Sequence, residues 1–89
     1  MMSNIVLPWR YIGLGYERHR MSVDKLIAGF IWIDSEKGLW KCNAYALTSW
    51  NDFYCEVETK EAAMSMVDKK LVEFGYRLLN EGDKLLCLL

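Results

Sequence analysis

Eighty-nine residues suffice for a single domain spanning 1–89 but not for two independent cores, since a chain of this size buries only about two-thirds of the surface it exposes when unfolded. Hydrophobic residues make up 53%, with four Trp, five Tyr and three Phe, which excludes a disordered chain and requires a packed core. Eleven Lys and Arg against twelve Asp and Glu leave a net charge of -1, so no global field draws in nucleic acid or an anionic membrane, and such binding would need a local patch.

The opening residues Met1 to Tyr11 lack a charged stretch leading into an apolar run. The longest apolar stretch, Leu26 to Ile33, has eight residues against the roughly 20 of a membrane-crossing helix. The expectation is a chain without membrane contact that stays in the cytoplasm where it is made. From Trp9 to Glu17 the aromatics do not alternate strictly, and Pro8, Gly13 and Gly15 oppose a helix, which predicts one irregular edge strand over about 9–17.

Within that region Trp9, Arg10, Tyr11, Tyr16, Arg18, His19 and Arg20 interleave rings with cations. Such a mixture can stack bases and neutralise phosphates, but Arg, Trp and Tyr are also the residue types that dominate protein-binding hot spots. His19 is the sole histidine. Its flanking arginines are the wrong electrostatics for a bound cation, so it reads as a solvated loop residue. Gly13-Leu14-Gly15 lacks the third glycine and the lysine of a nucleotide loop.

Leu26 to Asp34 is apolar on both alternating sets, with Leu26, Ala28, Phe30 and Trp32 on one side and Ile27, Gly29, Ile31 and Ile33 on the other. This predicts a central strand over 26–34, covered on both faces. The turn Asp34-Ser35-Glu36-Lys37-Gly38 leads into a strand over 39–47, and Thr48-Ser49-Trp50-Asn51-Asp52 into a third over 53–58, completing a meander. Glu56 and Glu58 share one side of that strand, a spacing for paired carboxylates that more often marks a solvated edge.

Ala63, Met64, Val67, Leu71 and Phe74 recur at three- and four-residue spacing and predict a helix over about 60–74. Thr59 is its N-cap, Glu61 favours the positive end of the dipole, and Gly75 closes it. Glu61, Ser65, Asp68 and Val72 fall on the solvated face, and Lys69 and Glu73 are spaced to pair. Asn80-Glu81-Gly82-Asp83 between two apolar segments predicts a C-terminal hairpin over about 76–88. The fold class is therefore α+β, an antiparallel sheet of a three-strand meander, an N-terminal edge strand and a C-terminal hairpin packed against one long helix.

The three cysteines, Cys42, Cys55 and Cys87, fit neither a disulfide framework nor a CxxC zinc site and read as free thiols. Cys42 and Cys55 fall on the inward side of adjacent strands, where oxidation could join them if the geometry allows. The pattern calls for no cofactor, no metal and no catalytic residue, because no convergent set of titratable groups is visible.

Two resemblances cover about half the chain. The G-x-W hairpin at Gly38 and Trp40, the third strand, and the helix capped by Thr59 and opening Glu61-Ala62-Ala63 resemble small accessory proteins encoded by phages and prophages. That resemblance implies a small non-enzymatic factor that binds and blocks a host or defence protein, with no site residues to transfer. The strand-strand-strand-helix order is also similar to the latter part of a double-stranded RNA-binding domain. That family begins its last helix with a basic cluster, whereas this helix begins Thr59-Lys60-Glu61. The expected partner is accordingly a protein, bound through Trp9, Tyr11, Trp50 and Tyr54, and the alternative is a nucleic acid bound through Arg10, Arg18 and Arg20. An apolar second face on 26–34, with one helix to cover the sheet and only the short N-terminal segment and the tail Leu85, Leu86, Leu88 and Leu89 to cover the rest, further predicts a homodimer through that face or through the edge of the C-terminal hairpin.

Overall fold

A computed structural model describes residues 5–21, 26–46 and 52–80. The helix α1, Lys60–Glu73, starts where Thr59 leaves helical geometry (φ -127, ψ 155) and its hydroxyl accepts the Ala62 N–H at 3.1 Å, satisfying one of the unpaired amides of the first turn. Ala63, Val67 and Leu71, spaced by four, are fully buried and form its inward stripe. Gly75 ends it at φ 99. The Gly75 N–H reaches the Val72 carbonyl and the Tyr76 N–H reaches that of Leu71, a Schellman motif whose apolar clasp is the buried pair Leu71 and Tyr76.

The helix packs on a five-stranded antiparallel sheet of order β2-β3-β4-β5-β6, made by Arg10–Tyr11, Gly15–His19, Ile27–Asp34, Leu39–Ala44 and Phe53–Val57. The expected meander is present as β4, β5 and β6. In the β4-β5 turn Asp34 Oδ1 accepts the Glu36 N–H at 3.1 Å, and Gly38 takes φ 68, the left-handed geometry that glycine adopts without steric cost.

The single N-terminal edge strand predicted over 9–17 is instead a hairpin. Gly13 at φ 96 reverses the chain, Ile12 N–H bonds the Gly15 carbonyl at 2.9 Å, and Tyr11 comes to lie opposite Tyr16. Gly15 has a second role beside β4, because a Cβ there would sit 2.0 Å from the Ile31 carbonyl oxygen. Gly29 admits the helix, since a Cβ would stand 2.6 Å from a Val67 methyl.

The C-terminal segment also departs from the expected hairpin. Arg77–Leu78, β7, pairs in parallel with β1, Ile5–Val6, because the Schellman turn at Gly75 sends the chain back past the buried N-terminal strand. Val6 also bridges Arg20, and the Leu7 N–H bonds the His19 carbonyl at 2.8 Å, so β1 lies between β7 and the end of β3. The second arm of the predicted hairpin, 84–88, lies outside the described residues.

Register separates the two faces of the large sheet. Toward α1 run the rows Tyr11, Tyr16, Ile31, Cys42, Cys55 and Arg18, Gly29, Ala44, Phe53, with Ile31, Cys42 and Ala44 fully buried. Lys60 Nζ stands 5.1 Å from the centre of the Tyr16 ring and Lys70 Nζ 5.3 Å from that of Phe53, so long cationic stems close the margins of this layer. Strand β4 is central as expected, but among the described residues only one of its faces is covered by a helix. Among those residues no helix is long and apolar enough to cross a membrane.

Candidate binding face

The face turned away from α1 is built from alternate residues of all five strands. One row runs Arg10, Glu17, Phe30, Asn43, Tyr54 and a second runs Gly15, Trp32, Lys41, Glu56. Phe30 and Trp32, two residues apart on β4, stack at 4.7 Å with an interplanar angle of 19°, and the Tyr45 ring lies 6.1 Å from Phe30 on the other side. The three rings form an aromatic strip, each of them half-buried. Tyr54 is 51% exposed at the β6 edge.

Charges of both signs frame the strip. Lys41 Nζ lies 3.3 Å from Asp34 Oδ2, and His19 Nε2 lies 2.6 Å from Glu17 Oε1. Burial favours a neutral Asp34, but hydrogen bonds from Lys41 and from the Lys37 and Glu36 amides prevail and hold its carboxyl below the usual range. Lys41 is pushed up by its bond to Asp34 and by the neighbouring Tyr54. The Tyr54 hydroxyl is pushed up by burial and then by the Glu56 carboxylate. The face thus carries the basic side chains Arg10 and Lys41 beside the acidic Glu17, Asp34 and Glu56.

The residues singled out in the sequence are dispersed. Tyr54 and Arg10 share the first row but stand at its two ends, four strand spacings or about 19 Å apart. Tyr11 is 64% exposed but lies in the helix-side row, tilted against Tyr16 at 5.2 Å, with its hydroxyl donating to the Gly13 carbonyl at 2.7 Å. Trp50 lies outside the described residues.

Trp9 is occupied internally, its indole N–H donating to Asp68 Oδ1 at 3.2 Å. Arg18 is fully buried. Its Nε donates to the Leu7 carbonyl at 2.9 Å, one terminal nitrogen to Asp68 Oδ1 at 2.7 Å and the other to the Leu79 carbonyl, while the guanidinium lies 5.6 Å from the centre of the Trp9 ring. Arg10, Arg18 and Arg20 do not converge, because β3 turns Arg18 inward while Arg10 faces outward beside Glu17 and Arg20 pairs with Val6.

Three other expectations are corrected. Asp68, placed on the solvated helix face, is the counter-ion of Arg18, and its side chain is only 32% exposed. Glu73 pairs with Lys70 at 2.9 Å rather than with Lys69. His19, read as a loop residue, closes β3, with its Nε2 within hydrogen-bond distance of Glu17 Oε1.

Comparison with known proteins finds no counterpart. No family model, curated protein or solved structure matches the chain. Sequence reasoning missed Phe30, Trp32, Tyr45 and Lys41 as a surface. The i,i+2 pair of rings on β4 carries the signal, but with both faces of that strand apolar the sequence alone does not say which face the helix takes.

Proposed function

We propose that this chain is a protein-binding module that recognises its partner through the outer face of the five-stranded sheet. The observation that carries the reading is the half-buried strip of Trp32, Phe30 and Tyr45, which no helix covers among the described residues, continued by Tyr54 and framed by charges of both signs. Large rings that order at low entropic cost, surrounded by groups able to form hydrogen bonds, are the composition of protein hot spots. A polyanion is a poorer fit. Lys41 is already paired with Asp34, Glu17 faces Arg10 across the strands, and Arg18 is spent on internal acceptors. Consistent with the resemblance to phage accessory proteins, the chain acts in the cytoplasm by occupying a partner's surface, without chemistry of its own.

Affinity capture from a cell extract tests this with the wild type beside Trp32→Ala and Tyr54→Ala, each verified as folded by circular dichroism. A bound protein that survives nuclease and is weakened about 30-fold in either variant, the size of a hot-spot loss of about 2 kcal/mol, supports the reading. Capture abolished by nuclease, or binding to RNA that weakens steeply with salt, overturns it in favour of a nucleic-acid module.

A further inference from the structure

Cys42 and Cys55 are direct partners in the β5-β6 register, thirteen positions apart in sequence. Both side chains point to the helix side of the sheet, and the Cys42 thiol donates to the Cys55 carbonyl at 3.3 Å. Directly opposed residues of an antiparallel pair have Cα atoms about 4.5 or 5.5 Å apart according to the pair type. Both values lie inside the window of roughly 4.4–6.8 Å that a disulfide spans. The two thiols differ in access. Cys42 is fully enclosed, whereas Cys55 lies on the edge strand and is half-exposed.

We propose that Cys42 and Cys55 form a reversible redox site, in which Cys55 reacts first and Cys42 resolves, closed by a low-molecular-weight disulfide such as glutathione disulfide. The Cys55 thiolate attacks one sulfur of the small disulfide, forming a mixed disulfide and expelling one thiolate. Cys42 then attacks the Cys55 sulfur, its proton passing to the departing second thiolate. The balance is two protein thiols oxidised to one cystine and one small disulfide reduced to two small thiols. Burial first, and then the neighbouring Cys55, push the Cys42 thiol up to about 12, which makes Cys42 a poor first nucleophile and assigns the initial attack to Cys55. The bridge would fasten β6, the strand that carries Tyr54 and Glu56, to β5.

Folded protein carrying Cys87→Ser, run beside the wild type, is equilibrated over a series of glutathione disulfide to glutathione ratios and quenched with N-ethylmaleimide in denaturant. Cleavage after Lys41 and Lys60 releases one fragment containing both cysteines. The expected fragment has lost two hydrogens and carries no maleimide. Cys42→Ser should stop at the glutathione adduct on Cys55, and Cys55→Ser should leave Cys42 unmodified in the folded state. Closing a loop of this length should lower the unfolding equilibrium constant by about a hundredfold, read by urea denaturation of the oxidised and reduced forms. Accumulation of the Cys55 adduct without a bridge, a covalent dimer through Cys55, thiols that stay reduced at every ratio, or an oxidised form less stable than the reduced one would each overturn the assignment.

Discussion

Arg18 brings five N–H donors to a place from which solvent is excluded, and three of its nitrogens find the Leu7 carbonyl, the Leu79 carbonyl and Asp68. The fork geometry explains why arginine occupies the position, since a lysine ammonium cannot span three acceptors set apart in one plane. The two ends of the ion pair are unequal, however, because Arg18 is enclosed whereas the Asp68 side chain keeps 32% of its exposure. Removing the cation with Arg18→Met lets Asp68 hydrate and strands two carbonyls, a cost of about 1–3 kcal/mol. Removing the anion with Asp68→Ala leaves a buried guanidinium without a counter-charge, a cost of about 3–5 kcal/mol. Urea denaturation should therefore rank Asp68→Ala as the more damaging variant, and the reverse order would mean that solvent reaches Arg18. In the sequence this arginine stands in Glu17-Arg18-His19-Arg20 and reads as surface charge. Strand alternation carried from Tyr16 turns it inward, and the bulge that follows, between Arg18 and His19, leaves no mark in a single sequence.

At the level of elements, legibility follows length. The fourteen residues of α1 repeat their apolar spacing over several turns and carry a cap at each end, so both existence and boundaries can be read. Strands β4, β5 and β6 are long enough to alternate and are separated by turn residues. By contrast β1, β2 and β7 have two residues each, too few to show any period, and the parallel pairing of β1 with β7 joins segments from opposite ends of the described chain. The β4-β5 hairpin also has a pH signature. Asp34 titrates below its ordinary 3.8 despite the opposing effect of burial, so its contribution is fully present above that value and is lost as pH falls through the lowered one. Lys41 titrates above its ordinary 10.5, so its contribution is present below that value and is lost as pH rises through the raised one. Asp34→Asn should flatten the acid limb of the stability profile and Lys41→Met the alkaline limb, with the protein otherwise folded. Chemical denaturation across pH checks both, and an unchanged acid slope in Asp34→Asn would remove Asp34 from the balance.

For the whole molecule, the uneven covering of the sheet among the described residues predicts how it behaves in solution. The helix and the β1-β7 pair seal one layer, with Val6, Ile31, Val67, Leu71 and Tyr76 in a common core, while among the described residues no helix covers the aromatic strip of the other face, whose half-buried rings stack on one another. An apolar strip of this kind is normally covered in a functional state, and a second copy is the partner always at hand. Two sheets brought face to face about 10 Å apart would interleave Phe30, Trp32 and Tyr45 with their symmetry mates. The expected result is a monomer–dimer equilibrium in sedimentation over a concentration series, shifted to monomer in Trp32→Lys, which buries a cation at the centre of the interface, and unaffected in Val72→Lys on the far side of the helix. A wild type that stays monomeric at every concentration would reserve the face for a different protein. Loss of the dimer in Val72→Lys with retention in Trp32→Lys would instead move the interface to the helix.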